Sequence, residues 1–299
     1  MELRNLITLI RVAEQGSFTR AAEQLGYSQS TISFQIKQLE EELGCLLFER
    51  INHTVKLTER GRELLDYAHR VHSMSEELRE QMAGEEVCRG QVHVVTPDSI
   101  CERMISSHYA AFRRLYPEIS LRFTAADTGV MTDMLDHNEA DVIITLDSRI
   151  YRRDYVIYAE EPLPMHFVTG AASRFRDRRG LQVQQLLSEP FVLTESGQGY
   201  RRVLDRALAE RSLAITPVLE IGRTDLITEI LAEGDMISFL PDFVAEPHVR
   251  SGRLCYLDVT EPRISIWKQL IYHKNKWKSA ALRCFLDYVR EHEFRKGET

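Results

Sequence analysis

The sequence predicts an α/β protein with an all-α, winged N-terminal domain, and three observations carry that reading. Residues 3–43 hold three helical apolar patterns separated by glycine-containing turns, and a short hairpin pattern follows at 46–58. Residues 58–82 then run without proline through about three heptads of apolar spacing. After residue 90, short apolar runs alternate with amphipathic stretches, as strands and helices do in α/β domains.

A chain of 299 residues exceeds the usual size of one domain, so two or more compact units are expected, each able to bury a core. Its 43% hydrophobic and 28% charged content is that of a soluble globular protein. No stretch approaches the roughly 18 apolar residues of a membrane span. Glu2, Arg4 and Arg11 interrupt any signal-peptide core, so a cytoplasmic protein is expected. The five cysteines, at 45, 88, 101, 255 and 284, never form a C-x-x-C pair, which points to reduced thiols rather than a disulfide framework or a zinc site. His69 and His72 share a helix face but have no third ligand nearby, and a solvated face is the simpler reading.

In the first helix Leu3, Leu6, Ile7, Ile10 and Ala13 recur at helical spacing, and Gln15-Gly16 ends it. Ser17 caps "FTRAAEQL", whose apolar face is Phe18, Ala21, Ala22 and Leu25, and Gly26-Tyr27 breaks it. Ser28 caps a third helix in which Ile32, Ile36, Leu39 and Leu43 form the buried stripe, giving a helix-turn-helix. The opposite face carries Gln29, Ser30, Ser33, Phe34 and Lys37. These residue types read base edges in a major groove: Gln pairs with adenine, Ser with most edges, an apolar ring with a thymine methyl, and Lys with guanine or phosphate. A protein-docking face is the alternative. "LLFER" and "TVKLT" flank a turn at Asn52-His53 and place Arg50 and Lys56 on the strands, and a basic hairpin beside such a helix favours a wing that grips the DNA backbone. Residues 1–90 hold 11 Lys+Arg against 15 Asp+Glu, so positive charge must be focused locally if DNA is the partner.

"SFTRAAEQLGYSQSTISFQIKQLEEELGCLLFER" followed by "VKLTERG" resembles the winged helix-turn-helix of the LysR-type transcriptional regulators over essentially all of residues 1–60. The resemblance implies that Gln29, Ser30 and Ser33 approach bases while Thr31 and Arg50 hold phosphates, with Ser28 opening the helix. Phe34 and Asn52-His53 stand where family members often carry Arg, which removes positive charge from the interface.

In the following helix Gly61, Leu64, Ala68, Val71, Ser75, Leu78 and Met82 make a narrow seam flanked by charges. A thin apolar stripe suits a partner helix better than the helix's own domain, and predicts a dimer that offers two recognition helices to two half-sites. The resemblance implies the same linker helix and allows a dimer or a tetramer. The domains expected are 1–58 for DNA binding, 59–89 for the linker and 90–299 for an effector.

Residues 90–299 read as alternating elements with largely parallel sheets, where ligands bind beyond the carboxyl ends of strands. That rule nominates Asp98, Ser99, Thr128, Gly129, Thr194, Glu195, Thr224 and Phe239. The segment resembles the family's effector domain, which has the two-lobed form of periplasmic binding proteins. One lobe would be 91–161 with 265–299 and the other 162–264, the crossovers lying near Glu161-Pro162 and Glu261-Pro262. Asp235-Met236 departs from the smaller residues common there. "TESGQGYRR" offers hydroxyls and arginines suited to an anion, whereas Asp98, Asp127 and Glu195 suit the opposite charge, so the ligand class stays open. Arg201 and Arg202 read as solvated. Cys101 could sense oxidants, but a lone thiol is usually a small hydrophobe.

The expected function is therefore a LysR-type regulator with double-stranded DNA, a small-molecule effector and its own copies as partners, and RNA polymerase as a partner the resemblance allows. No G-x-S-x-G, G-x-G-x-x-G or metal-ligand cluster stands in the sequence, so no enzyme activity, cofactor or metal is expected. A scaffold using both helical parts to bind protein is the competing reading.

Overall fold

In the computed structural model, residues 1–51, 54–82, 88–262 and 264–294 are described. They divide into two compact units, Met1–Val87 with Asn275–Ala280, and Cys88–Lys274 with Ala281–Thr299.

The first unit begins with α1 (Leu3–Gln15), α2 (Phe18–Leu25) and α3 (Gln29–Leu43). Ser17 Oγ accepts from Arg20 N–H and Ser28 Oγ from Thr31 N–H, so both caps predicted from sequence form. Gly26 takes φ 69°, a left-handed turn that costs little only without a Cβ, and its N–H closes the end of α2. Leu6, Leu9, Ile10, Ala21, Ile32, Ile36 and Leu39 meet in one core with Leu47 and Phe48. Each large apolar side chain buried there contributes roughly 2 kcal/mol. The fourth stripe position predicted in α3, Leu43, is exposed instead. Gln35 lies beside the buried stripe of Ile32, Ile36 and Leu39, turns inward and accepts from Thr8 Oγ1 at 2.6 Å, which satisfies a buried polar pair.

Strands β1 (Phe48–Ile51) and β2 (Thr54–Leu57) pair antiparallel with Glu49 opposite Lys56 and Arg50 opposite Val55. Glu40 Oε1 accepts from Leu47 N–H at 2.8 Å, which ties the third helix to the hairpin. Helix α4 (Glu59–Met82) packs its first turns onto this core: Ala68 is fully buried there, and a Cβ on Gly61 would overlap the carbonyl oxygen of Leu47. The predicted seam is thereby corrected. Gly61, Leu64 and Ala68 face inward, whereas Tyr67, Val71, Met74 and Leu78, at intervals of four, three and four, are exposed. The predicted turn Asn52-His53 and the side chains of Arg50 and Met82 lie outside the described residues.

The second unit opens with β3 (Gly90–Thr96). Helix α5 (Asp98–Arg103) then passes through a π turn, Met104–His108, into α6 (Tyr109–Leu115), followed by β4 (Ile119–Ala125), α7 (Thr128–Asp136), β5 (Val142–Asp147) and β6 (Tyr155–Leu163). Next come β7 (Met165–Gly170), β8 (Leu181–Gln182), β9 (Val192–Leu193), α8 (Gly199–Ala209), β10 (Leu219–Glu220), α9 (Thr224–Ala232), β11 (Ile237–Pro241) and α10 (Asp242–Arg250). The unit closes with β12 (Leu254–Leu257), β13 (Val259–Glu261), β14 (Ile266–His273) and α11 (Ala280–Glu293).

One five-stranded sheet runs β4-β3-β5-β14-β6, and a three-stranded sheet runs β11-β7-β12. The chain passes from the first sheet to the second at Pro164 and returns with β14, so each sheet anchors a lobe. The expectation of largely parallel sheets is corrected. Parallel pairing holds for β4-β3-β5, while β14 runs antiparallel to both its neighbours and β7 to both of its own. Reversal at each crossover causes this, because a strand that returns directly from the other lobe needs no helical crossover. Helix α10 was not predicted; Pro247 lies inside it, and its ring removes a donor that a sequence reader counts against a helix. The expectation of reduced thiols is also corrected at one pair: Cys88 is bonded to Cys284, 196 residues away, while Cys45, Cys101 and Cys255 are free. The fold lays α11 along the start of β3, where a Cβ on Gly90 would sit 3.6 Å from Ala281 Cβ. Such a pairing has no trace in sequence spacing.

Candidate nucleic-acid interface and interlobe cleft

Helix α3 turns its locked side, Ile32, Gln35, Ile36 and Leu39, to the core, which leaves Gln29, Ser30, Ser33, Phe34 and Lys37 on the far side. Gln29 Nε2 donates to Ser33 Oγ at 2.8 Å, so these two side chains are already ordered on the surface. Ser28 Oγ sits 2.8 Å from the hydroxyls of both Ser30 and Thr31, gathering three hydroxyls at the helix start. Phe34 is 61% exposed in the middle of this face. Lys37 pairs with Glu41 at 3.3 Å on the surface, a contact weak enough to exchange for phosphate. Lys56 is exposed on β2, and the backbone of Arg50 is held opposite Val55 on β1.

In the second unit the strand-end candidates separate into two groups. Ser99 and Thr224, on the first turns of α5 and α9, line a cavity of about 480 Å³ walled by α5, the π turn, α9 and α10. Asp98 is half-buried beside them. Thr128 belongs to a different contact: the start of α8 docks on the end of β5, and a Cβ on Gly199 would overlap the carbonyl oxygen of Leu146 and come within 3.0 Å of Thr128 Oγ1. Gly129 N–H is already spent on Asp127 Oδ1, which caps α7. Thr194 is buried and its carbonyl accepts from Arg201, while Glu195 is exposed in the loop that follows. Phe239 does not reach the cleft: it is buried against Phe167 with ring centroids 5.0 Å apart, so its strand-end position serves the core.

Sequence reasoning missed the pieces that join the lobes. Arg202 Nη2 donates to Asp147 Oδ2 at 2.6 Å, and the Asp147 side chain is 1% exposed. Arg201, expected to be solvated, is buried and spans Asp205 and the Thr194 carbonyl. Apolar spacing marks neither arginine, because a long cation bridging two elements leaves no periodic signal. Phe243 and Val244 enter the cavity wall on α10, which the sequence did not reveal. Burial, and then the charge of Asp98, push the Cys101 thiol up, which disfavours its thiolate. Among the described residues no group of three or more His, Cys, Asp or Glu is arranged to hold a metal ion, and no helix is long and apolar enough to cross a membrane.

Two family profiles match the chain: the bacterial regulatory helix-turn-helix protein of the lysR family over residues 3–62, and the LysR substrate binding domain over 86–293. Among curated proteins, the RuBisCO operon transcriptional regulator of Allochromatium vinosum is 29% identical over 97% of this chain and 95% of its own length. The uncharacterized HTH-type transcriptional regulator YwqM of Bacillus subtilis is also 29% identical, over 97% and 99%. Among solved structures, a full-length OxyR variant of Pseudomonas aeruginosa shares the fold with a TM-score of 0.76 at 23% identity, covering 97% of this chain and 95% of that one. CrgA of Neisseria meningitidis does so with 0.57 at 21% identity, over 99% and 100%.

Proposed function

Since the chain belongs to the LysR family of transcriptional regulators, which bind DNA and small-molecule effectors and oligomerise, we propose that it reads an operator as a dimer or tetramer. Helix α3 lies in the major groove with Gln29, Ser30, Ser33 and Phe34 toward bases, while Ser28, Thr31, Lys37, Arg50 and Lys56 meet phosphates. The observation that carries this reading is the outward face of α3, an exposed aromatic among ordered small polar groups on a helix whose other side is fixed in a core. The exposed stripe Tyr67, Val71, Met74 and Leu78 is the seam on which two copies pair, placing two recognition helices on half-sites about 34–36 Å apart or a multiple of that. Small-molecule control acts through the cleft near Asp98, Ser99, Thr128, Thr194, Glu195 and Thr224, where lobe movement changes the angle between DNA-bound subunits. Regulation rather than catalysis is the activity this assigns.

The test is a mobility-shift titration against DNA from the chain's own upstream region at two salt concentrations. Phosphate contact makes log affinity fall linearly with log salt, and Arg50→Ala or Lys56→Ala should each reduce that slope by about one while weakening binding to all sequences. Gln29→Ala or Ser33→Arg should instead change which sequences bind. A folded, dimeric protein that gives no shift at low salt refutes the reading and favours a protein-binding scaffold.

A further inference from the structure

We propose that the cavity between α5, α9 and α10 takes a small amphipathic organic cation, an alkylamine, with its ammonium held by Glu102 and Ser99 and its hydrocarbon against Phe243 and Val244. This rests on the regulator reading only in treating the cavity as part of the effector cleft.

The ionic arrangement around the cavity decides the charge of the ligand. Arg103 Nε donates to both oxygens of Glu293, at 3.0 and 2.9 Å. Arg223 donates to both oxygens of Asp225, at 2.8 and 2.5 Å. Arg253, behind the α9 wall, donates to both of Glu229, at 2.9 and 2.6 Å. Each of these arginines is thus already satisfied by a carboxylate, and an entering anion would have to break one of those pairs. Glu102, in contrast, makes no hydrogen bond or ion pair among the described residues, although Arg223 and the cavity-lining His248 act on it at longer range, and Asp98 stands one turn before it on the same helix face. Asp98 and Glu102 therefore stand in excess of the three arginines, each already paired with its own carboxylate, and this net negative charge favours a cation over an anion.

A second observation is independent of that charge. Ser99 lines the same cavity, is 4% exposed, and its Oγ has no hydrogen-bond partner among the described residues. Buried hydroxyls are almost always paired, so this one marks a position where a ligand N–H belongs. Phe243, Val244 and Pro247 supply an apolar wall for the carbon chain. Partial desolvation at the cavity mouth, and then the neighbouring charge of Asp225, raise the Glu102 carboxyl, and a bound ammonium would favour its charged form.

Calorimetric titration of the full chain with n-butylamine, 1,4-diaminobutane and succinate tests the assignment. An amine is expected to bind while succinate does not. Glu102→Gln is expected to weaken the amine at least tenfold with the unfolding temperature of the free protein unchanged, since this side chain is on the surface. Ser99→Ala is expected to weaken it by a smaller factor. Binding of succinate in preference to both amines, no amine binding at millimolar concentration, or unchanged affinity in Glu102→Gln each overturns the proposal. Mobility shifts run on the same preparations separate the two readings: retained salt-sensitive DNA binding with no amine response refutes the cation site and leaves the regulator standing.

Discussion

Gly199→Ala should loosen the join between the two lobes, and its size can be worked from the contacts at the start of α8. The backbone there has no positive φ, so alanine is conformationally acceptable and by helix propensity would gain up to about 1 kcal/mol. Its Cβ, however, would overlap the Leu146 carbonyl oxygen, with Thr128 Oγ1 at 3.0 Å and Asp147 Oδ2 at 3.1 Å. Restoring ordinary contacts requires α8 to back away by about 1 Å. The Arg202–Asp147 distance, now 2.6 Å, would then open beyond hydrogen-bonding range. Removing the partner of a fully buried charge costs about 3–5 kcal/mol. Asp147 keeps its bond from Ser148 N–H at 2.7 Å and the Arg202 side chain is 59% exposed, so the loss here is about 1–2 kcal/mol. Overpacking adds about 1–3 kcal/mol, and with the helix gain subtracted the net is about 2 kcal/mol. For a unit of this size that lowers the unfolding temperature by about 4–8 °C, read by scanning calorimetry. Gly197→Ala, with nothing within 4 Å of the added carbon, is the control and should change little. A Gly199→Ala protein as stable as the parent, or more so, would show that α8 does not dock on β5 as described.

Met74→Asp or Leu78→Asp, at positions 65% and 57% exposed, should leave the monomer fold intact but shift light-scattering mass toward monomer and weaken operator binding at least tenfold; an unchanged mass places the seam elsewhere. Lys268 is buried between Glu161 at 2.8 Å and Glu293 at 3.5 Å, so Lys268→Ala should destabilise by about 3 kcal/mol in denaturant melts, and a loss under 1 kcal/mol would contradict that burial. Burial, reinforced by the charge of Lys276, lowers the His69 pKa to about 4, so above pH 6.5 the neutral ring costs nothing and stability falls as pH drops from 6.5 through 4, by up to about 3 kcal/mol. His69→Gln should flatten that acid limb in a melting-temperature series, and an identical limb would assign it to other groups.

The recognition half of the molecule is legible in the sequence because its information is local. The caps Ser17 and Ser28, the turn at Gly26 and the apolar spacing of α3 act within a few residues of one another, and they fix which side chains point outward. Even there Leu43, at the last position of α3, is exposed and Gln35 is buried, its bond from Thr8 on another helix being invisible to apolar spacing. The heptad of α4 announced a seam, yet the face spent on the domain core and the face left exposed differ by a fraction of a turn, and only the packing of Ala68 and Gly61 against Leu47 distinguishes them.

By itself the sequence determined the helix-turn-helix, the hairpin, the long helix and the alternation that follows, because each rests on short-range periodicity and turn chemistry. It also fixed the types of residue at the strand ends, Ser99 and Thr224 among them. The tertiary structure alone decided the antiparallel course of β14, the pairing of Cys88 with Cys284, the Arg202–Asp147 bridge and the placing of Glu102 on the cavity wall without a hydrogen-bonded arginine among the described residues. Those features depend on which distant segments meet, and the free energy that brings them together belongs to the whole core rather than to any stretch of the chain.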